Sequence, residues 1–174
     1  MILKYPRPVD TRALNNAVLY HSRENGLDFK LVSAVIWQES RGNPWATRYE
    51  PDFYRRYLQG KQLKSLAGYV HLTDGRSEIT ELKERSTSFG LMQIMGQTAR
   101  ESGFKVNELT VLLDPMVNIE MGTKILAYKI RKKDGDIHKG LLAWNGGGNI
   151  EYPNEVIKWL ESGAYSPIYV PAFS

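Results

Sequence analysis

Apolar residues recur at spacings of three and four along most of the chain, the period of a helix with one face turned to a core. Asp10 or Thr11 can cap a helix running to about Asn25, with Gly26 as its stop. Asp28 can cap a second over Phe29 to about Ser40, ended by Gly42-Asn43-Pro44. Gln97 to Ser102 reads as a short helix before Gly103. Asp114-Pro115 is a cap followed by proline at the first helical position. It predicts a long helix from Pro115 to about Lys133, closing at Asp134-Gly135. Another helix spans Ile137 to Trp144 and breaks at Gly146-Gly147-Gly148, and Pro153 opens a last one to about Glu161.

The stretch from Trp45 to Ser88 is the least regular. It predicts a short helix near Leu58 to Leu66 and a short strand and turn over His71 to Arg76, and Glu78, Glu81 and Glu84 read as a solvated face. After Gly163, Pro167 and Pro171 favour an extended tail. The expectation is a mainly α single domain over 1–174, with its core at about 11–161, a tail at 163–174 and a possible short β-hairpin or flap.

Composition narrows the chemistry. At 174 residues the chain can bury roughly 70% of its unfolded surface and needs no disulfide or metal staple. The absence of cysteine rules out thiolate zinc sites and a cysteine nucleophile. His21, His71 and His138 form no HExxH pair, so neither metal nor cofactor is expected. No apolar run is long enough for an integral membrane segment, and Met1 to Pro8 lacks the apolar core of a signal peptide. A net charge of +4 favours an anionic partner: nucleic acid, a membrane surface or the acidic bacterial wall. No basic helix or stacking motif supports nucleic acid. The cluster Arg131-Lys132-Lys133 suits a helix C-terminus.

One carboxylate stands out. Phe29, Val32, Ile36 and Glu39 fall on one stripe of the second helix, with Val35 alongside. Burial and the negative end of the helix dipole would both raise the pKa of Glu39, as a general acid requires. The alternative is a glutamate at the stripe's edge that reaches water or pairs with Arg41. Gly90-Leu91-Met92-Gln93-Ile94 combines a permissive glycine, a soft apolar side chain and an amide, features of either a ligand-lining loop or core packing. Ala143-Trp144-Asn145-Gly146-Gly147-Gly148 sets an indole and an amide at a helix end. Glu151 occupies the third glycine position of GxGxxG, so a phosphate loop is excluded.

Taken in order, these segments resemble the soluble lytic transglycosylase family of the lysozyme superfamily. Glu39-Ser40 followed by Gly42-Asn43-Pro44 looks like its Glu-Ser motif, Gly90 to Gln93 is similar to its Gly-Leu-Met-Gln motif, and Ala143-Trp144-Asn145 looks like its Ala-Tyr-Asn motif. Tyr152, four residues before Val156, resembles the tyrosine of its fourth motif. The resemblance implies a lysozyme-like fold with a cleft for peptidoglycan strands. It also implies cleavage of the β-1,4 bond between N-acetylmuramic acid and N-acetylglucosamine, leaving a 1,6-anhydro end. Glu39 would be acid and then base, and Ser40 would help bind the muramyl group. Gly90, Met92 and Gln93 would line the cleft, Asn145 would bond to sugar, and Tyr152 would orient Glu39. Trp144 stands where the family usually has tyrosine. Its indole can form a wall, but a phenolic hydrogen bond from this position is lost, which leaves Tyr152 as the better candidate to touch Glu39.

Glu50 offers a second route. Facing the cleft, it could hold a water for inverting hydrolysis, as in goose-type lysozymes, with the carboxyls roughly 6.5–9.5 Å apart. Otherwise it pairs with Arg48 or Arg41. A glycan-binding module without cleavage is the remaining alternative. A monomer is expected, made in the cytoplasm and acting on the wall as a phage lysis or virion enzyme.

Overall fold

The computed structural model describes residues 10–73 and 75–163. The expected tail beyond Gly163 and the segment Met1 to Pro8 lie outside the described residues. The cap signals act as predicted. Asp10 accepts the amides of Arg12 and Ala13 to start α1 (Thr11–Glu24), and Asp28 accepts that of Lys30 to start α2 (Phe29–Ser40). Asp114 accepts from Met116 and Val117, with Pro115 in the first turn of α6 (Pro115–Arg131), which follows the 3₁₀ turn Leu109–Leu113. The helices α5 (Gly96–Glu101), α7 (Ile137–Trp144) and α8 (Tyr152–Ser162) lie within a residue or two of the predicted positions. Their apolar faces meet in one cluster that includes Leu14, Val32, Val35, Leu91, Ile119, Leu126 and Val156.

The region after α2 departs from the expectation. Instead of a helix over Leu58 to Leu66, the chain makes one turn, α3 (Pro51–Phe53), that widens into a π-turn at Tyr54–Leu58, then a 3₁₀ turn at Leu63–Ser65. No strand forms among the described residues of His71 to Arg76. The antiparallel sheet instead joins β1 (Thr47–Tyr49), β2 (Thr87–Phe89) and β3 (Ile94–Met95), with Arg48 opposite Ser88 and Phe89 opposite Ile94. Backbone pairing to β2 decides the matter for β1, a tripeptide too short to show a period of its own. Leu58 and Leu63 of this segment (residues 47–65, the flap) form a satellite core with Leu82. Lys83 secures the flap, lying 3.8 Å from the ring centre of Tyr54 and donating to the Tyr49 hydroxyl at 2.8 Å.

The glutamate-rich stretch is a solvated face only at Glu78; Glu84 is half-buried and Glu81 turns inward. Ser77 caps α4 (Glu78–Arg85), and Glu81 is fully buried. Its carboxylate meets Arg85 and Arg100 at 2.8 Å and Arg76 at 3.0 Å. Arg85 also donates to the carbonyls of Ala67 and Gly68, and Arg100 to those of Phe104, Val106 and Asn107. The cluster therefore satisfies two irregular loops from inside the protein. Periodicity assigns charged residues to the outside, and ion pairing within a buried cluster reverses that assignment.

Candidate active site

Three helix ends converge on Glu39. It occupies the last turn of α2, which stops at Arg41 in a left-handed conformation (φ 55°). Trp144 ends α7 and the buried Tyr152 begins α8. Tyr152 donates its hydroxyl to Glu39 Oε1 at 2.5 Å, and the indole Nε1 of Trp144 donates to the same oxygen at 2.9 Å. This corrects one expectation: Trp144 is more than a wall, because its indole N–H supplies a hydrogen bond in place of a phenol.

Burial pushes the Glu39 carboxyl above its ordinary range. The two hydrogen bonds and the charge of Arg48 pull the other way without cancelling that effect. Burial, and then the Glu39 charge, raise the Tyr152 phenol, so it remains a protonated donor. An indole only donates. With both donors engaged on Oε1, a proton on Glu39 belongs on Oε2, which has no hydrogen-bond partner among the described residues.

The Gly-Leu-Met-Gln segment is the turn of the β2–β3 hairpin. Gly90 has φ +71°, and a side chain there would meet Asn118 Nδ2 at 2.5 Å and the Leu112 carbonyl at 2.8 Å. Its lack of a side chain thus serves close packing of the turn on α6. Met92 is 0% exposed and packs against Gly122, so its side chain belongs to the core and not to the cleft lining expected of it. Gln93 (φ +46°) does line the cleft. Its Nε2 is tied to the carbonyls of Ala46 and Gly90, which leaves Oε1 open among the described residues. Asn118, which sequence reasoning missed, pins the turn. It receives the Met92 amide at 2.8 Å and donates to the carbonyls of Phe89 and Leu112 at 2.8 Å each.

A cavity of about 650 Å³ opens over these groups. Glu39, Glu50, Gln93, Trp144 and Asn145 line it, so the structure brings together five of the predicted residues. Asn145 accepts the Asn149 amide through Oδ1, and its Nδ2 has no partner among the described residues. Glu50 is ion-paired with Arg48. Ser40 is not among the cavity's lining residues: its hydroxyl donates to the Leu91 carbonyl at 2.7 Å and ties α2 to the hairpin turn. Sequence reasoning also missed Arg56 of the flap and Lys129 of α6 as lining residues. For Asn118 a signal existed, since it is a polar residue one turn into a long apolar helix. For Arg56 and Lys129 only the tertiary fold shows which way the side chains face.

Among the described residues, no group of three or more histidines, aspartates or glutamates is placed to hold a metal ion. None of their helices is long and apolar enough to cross a membrane. No solved structure matches the chain. The model of one family, described as the transglycosylase SLT domain, matches residues 16–162. That span runs from α1 to the last residue of α8 and takes in the whole convergence on Glu39. The chain therefore belongs to the SLT transglycosylase family, glycan-cleaving enzymes of the lysozyme-like superfamily that act on peptidoglycan.

Proposed function

We propose that this protein is a lytic transglycosylase that cleaves the β-1,4 bond between N-acetylmuramic acid and N-acetylglucosamine, with Glu39 as general acid and then base. The observation that carries the reading is the pair of donors on Oε1 of a partly buried carboxyl that lines the cleft. They hold the group in one orientation and direct its proton to Oε2. Oε2–H passes that proton to the glycosidic oxygen as the bond to C1 breaks, and the glucosaminyl residue leaves as an alcohol. The carboxylate then takes the proton of the muramyl 6-hydroxyl as its oxygen bonds to C1. Glu39 ends protonated, no water is consumed, and the product carries a 1,6-anhydro ring. One carboxylate suffices because the nucleophile, the 6-hydroxyl, is already part of the substrate.

In this reading Gln93 Oε1 and Asn145 Nδ2 supply sugar contacts, and Trp144 adds an apolar wall. Gly90, Met92 and Ser40 act by holding the floor in place. Glu50 lines the same cavity, which favours hydrolysis as the second reading, with Glu50 positioning a water. Its pairing with Arg48 weighs against a free general base.

Mass spectrometry of products released from purified peptidoglycan separates the two. Muropeptides lighter by one water than reducing-end products are expected, whereas reducing ends alone would overturn transglycosylation. Glu39→Gln should lower turnover at least about a hundredfold while retaining binding; an unchanged rate would remove Glu39 from the chemistry. For setting we favour a phage lysis or virion enzyme, supported by the cysteine-free, basic composition. A producing phage that lyses or infects normally without this protein would exclude that role.

A further inference from the structure

Six charged side chains line the cleft: Glu39, Glu50, Asp52, Arg48, Arg56 and Lys129. Most are matched within the protein. Glu50 pairs with Arg48, Asp52 pairs with Arg55, and Glu39 is held by Tyr152 and Trp144. Arg56 and Lys129 are different, for neither has an ion-pair partner among the described residues.

Arg56, on the flap, has its guanidinium 5.9 Å from the ring centre of Tyr57, and its donors are otherwise unengaged among the described residues. Lys129, on α6, gives one proton to the Ala143 carbonyl at 2.7 Å, one residue before Trp144. That bond fixes the ammonium beside the catalytic rim and leaves two of its three donors free. Glu101 acts on Lys129 only through space, and its own carboxylate receives Gln97 at 2.8 Å. Lys129, half-buried without a counter-ion, pays desolvation and gains no pairing, so its charge adds little to stability by itself. Burial already disfavours the charged form of Lys129. An incoming anion would relieve that cost.

We propose that Arg56 and Lys129 bind carboxylates of the stem peptides carried by the glycan strand, so that strands with free acids are preferred to strands whose acids are amidated. The inference rests on the glycan-cleaving reading above. The ligand class follows from the donors: a planar guanidinium fork suits a carboxylate, and an ammonium adds a point charge. The two cations come from different elements, the flap and α6. The flap therefore contributes specificity that the helices alone would lack.

The test uses two soluble glycan strands of equal length, one with free stem carboxylates and one with the same positions as carboxamides. Binding is measured by calorimetry on the Glu39→Gln protein, alone and combined with Arg56→Gln or Lys129→Met. The expected result is tighter binding of the free-acid strand and an about tenfold loss of that affinity in each variant, from one charge-assisted hydrogen bond. Affinity for the amidated strand should stay within about twofold. Equal losses on both strands, or no loss on either, would overturn the proposal.

Arg56 is exposed on the flap, so its variant folds even if the Lys129 variant loses stability, and Lys129→Arg should restore the preference. The wild-type protein is assayed in parallel for product release. Release without carboxylate discrimination sinks only this inference. Neither release nor binding of either strand sinks it together with the glycan-cleaving reading.

Discussion

Replacing Asn118 should unfasten the floor of the cleft, and the size of the effect follows from its contacts. The side chain is fully buried and makes three hydrogen bonds of 2.8 Å, to the Met92 amide and to the Phe89 and Leu112 carbonyls. Asn118→Ala orphans all three groups where water is excluded. Each orphaned group costs roughly 1–3 kcal/mol, and partial relaxation leaves a total of about 3–5 kcal/mol. A protein of this size has about 5–15 kcal/mol in all, so a third or more is at stake. The corresponding fall in Tm is on the order of 10 °C.

Urea unfolding followed by tryptophan fluorescence measures this directly. Asn118→Asp sharpens the test because it keeps the acceptor for the Met92 amide and turns an oxygen toward two carbonyls. A buried aspartate has its pKa raised in the folded state. Its penalty relative to wild type is therefore fully present above the raised folded pKa and shrinks as pH falls through that value. A loss below about 1 kcal/mol in Asn118→Ala, or a penalty in Asn118→Asp that does not depend on pH, would refute the reasoning.

Two further outcomes follow from buried carboxyls. Burial raises the Glu39 pKa while Tyr152 and Trp144 lower it, so Tyr152→Phe or Trp144→Phe should raise it further. The alkaline limb of the kcat/KM profile should then move to higher pH as turnover falls, and an unmoved limb would show that these donors do not act on the catalytic proton. Burial acts to raise Glu81 too, but hydrogen bonds and the charges of Arg100 and Arg85 hold it below its ordinary value. Its stabilisation is present above the unfolded carboxylate pKa and is lost as pH falls through the depressed folded value. Glu81→Gln should cost about 3–5 kcal/mol in denaturant unfolding at neutral pH by leaving buried arginines unpaired; near-wild-type stability would mean the cluster is expendable.

Much of the helical frame was legible because its signals are local. Asp10, Asp28 and Asp114 each cap a helix through their own neighbours, and the period of apolar positions says which face turns inward. Glu39 was legible for the same reason: a carboxylate on an apolar stripe is anomalous wherever the stripe packs. The order of the four motifs then pointed to a family, and the family model agrees over residues 16–162.

Other features exist only through contacts distant in sequence. Glu81 reads as a surface residue until Arg85, Arg100 and Arg76 surround it, because pairing reverses the cost of burying charge. The sheet arises from pairing between β1 and β2, which are nearly forty residues apart, and neither strand has a pattern that announces it. Trp144 shows the division most clearly. Its sequence position suggested a missing phenol, whereas the geometry of α7 against α2 aims an indole N–H at Glu39 Oε1. Side-chain type sets what a group can donate or accept, and local pattern sets which helix carries it. The packing of those helices decides which partner it meets.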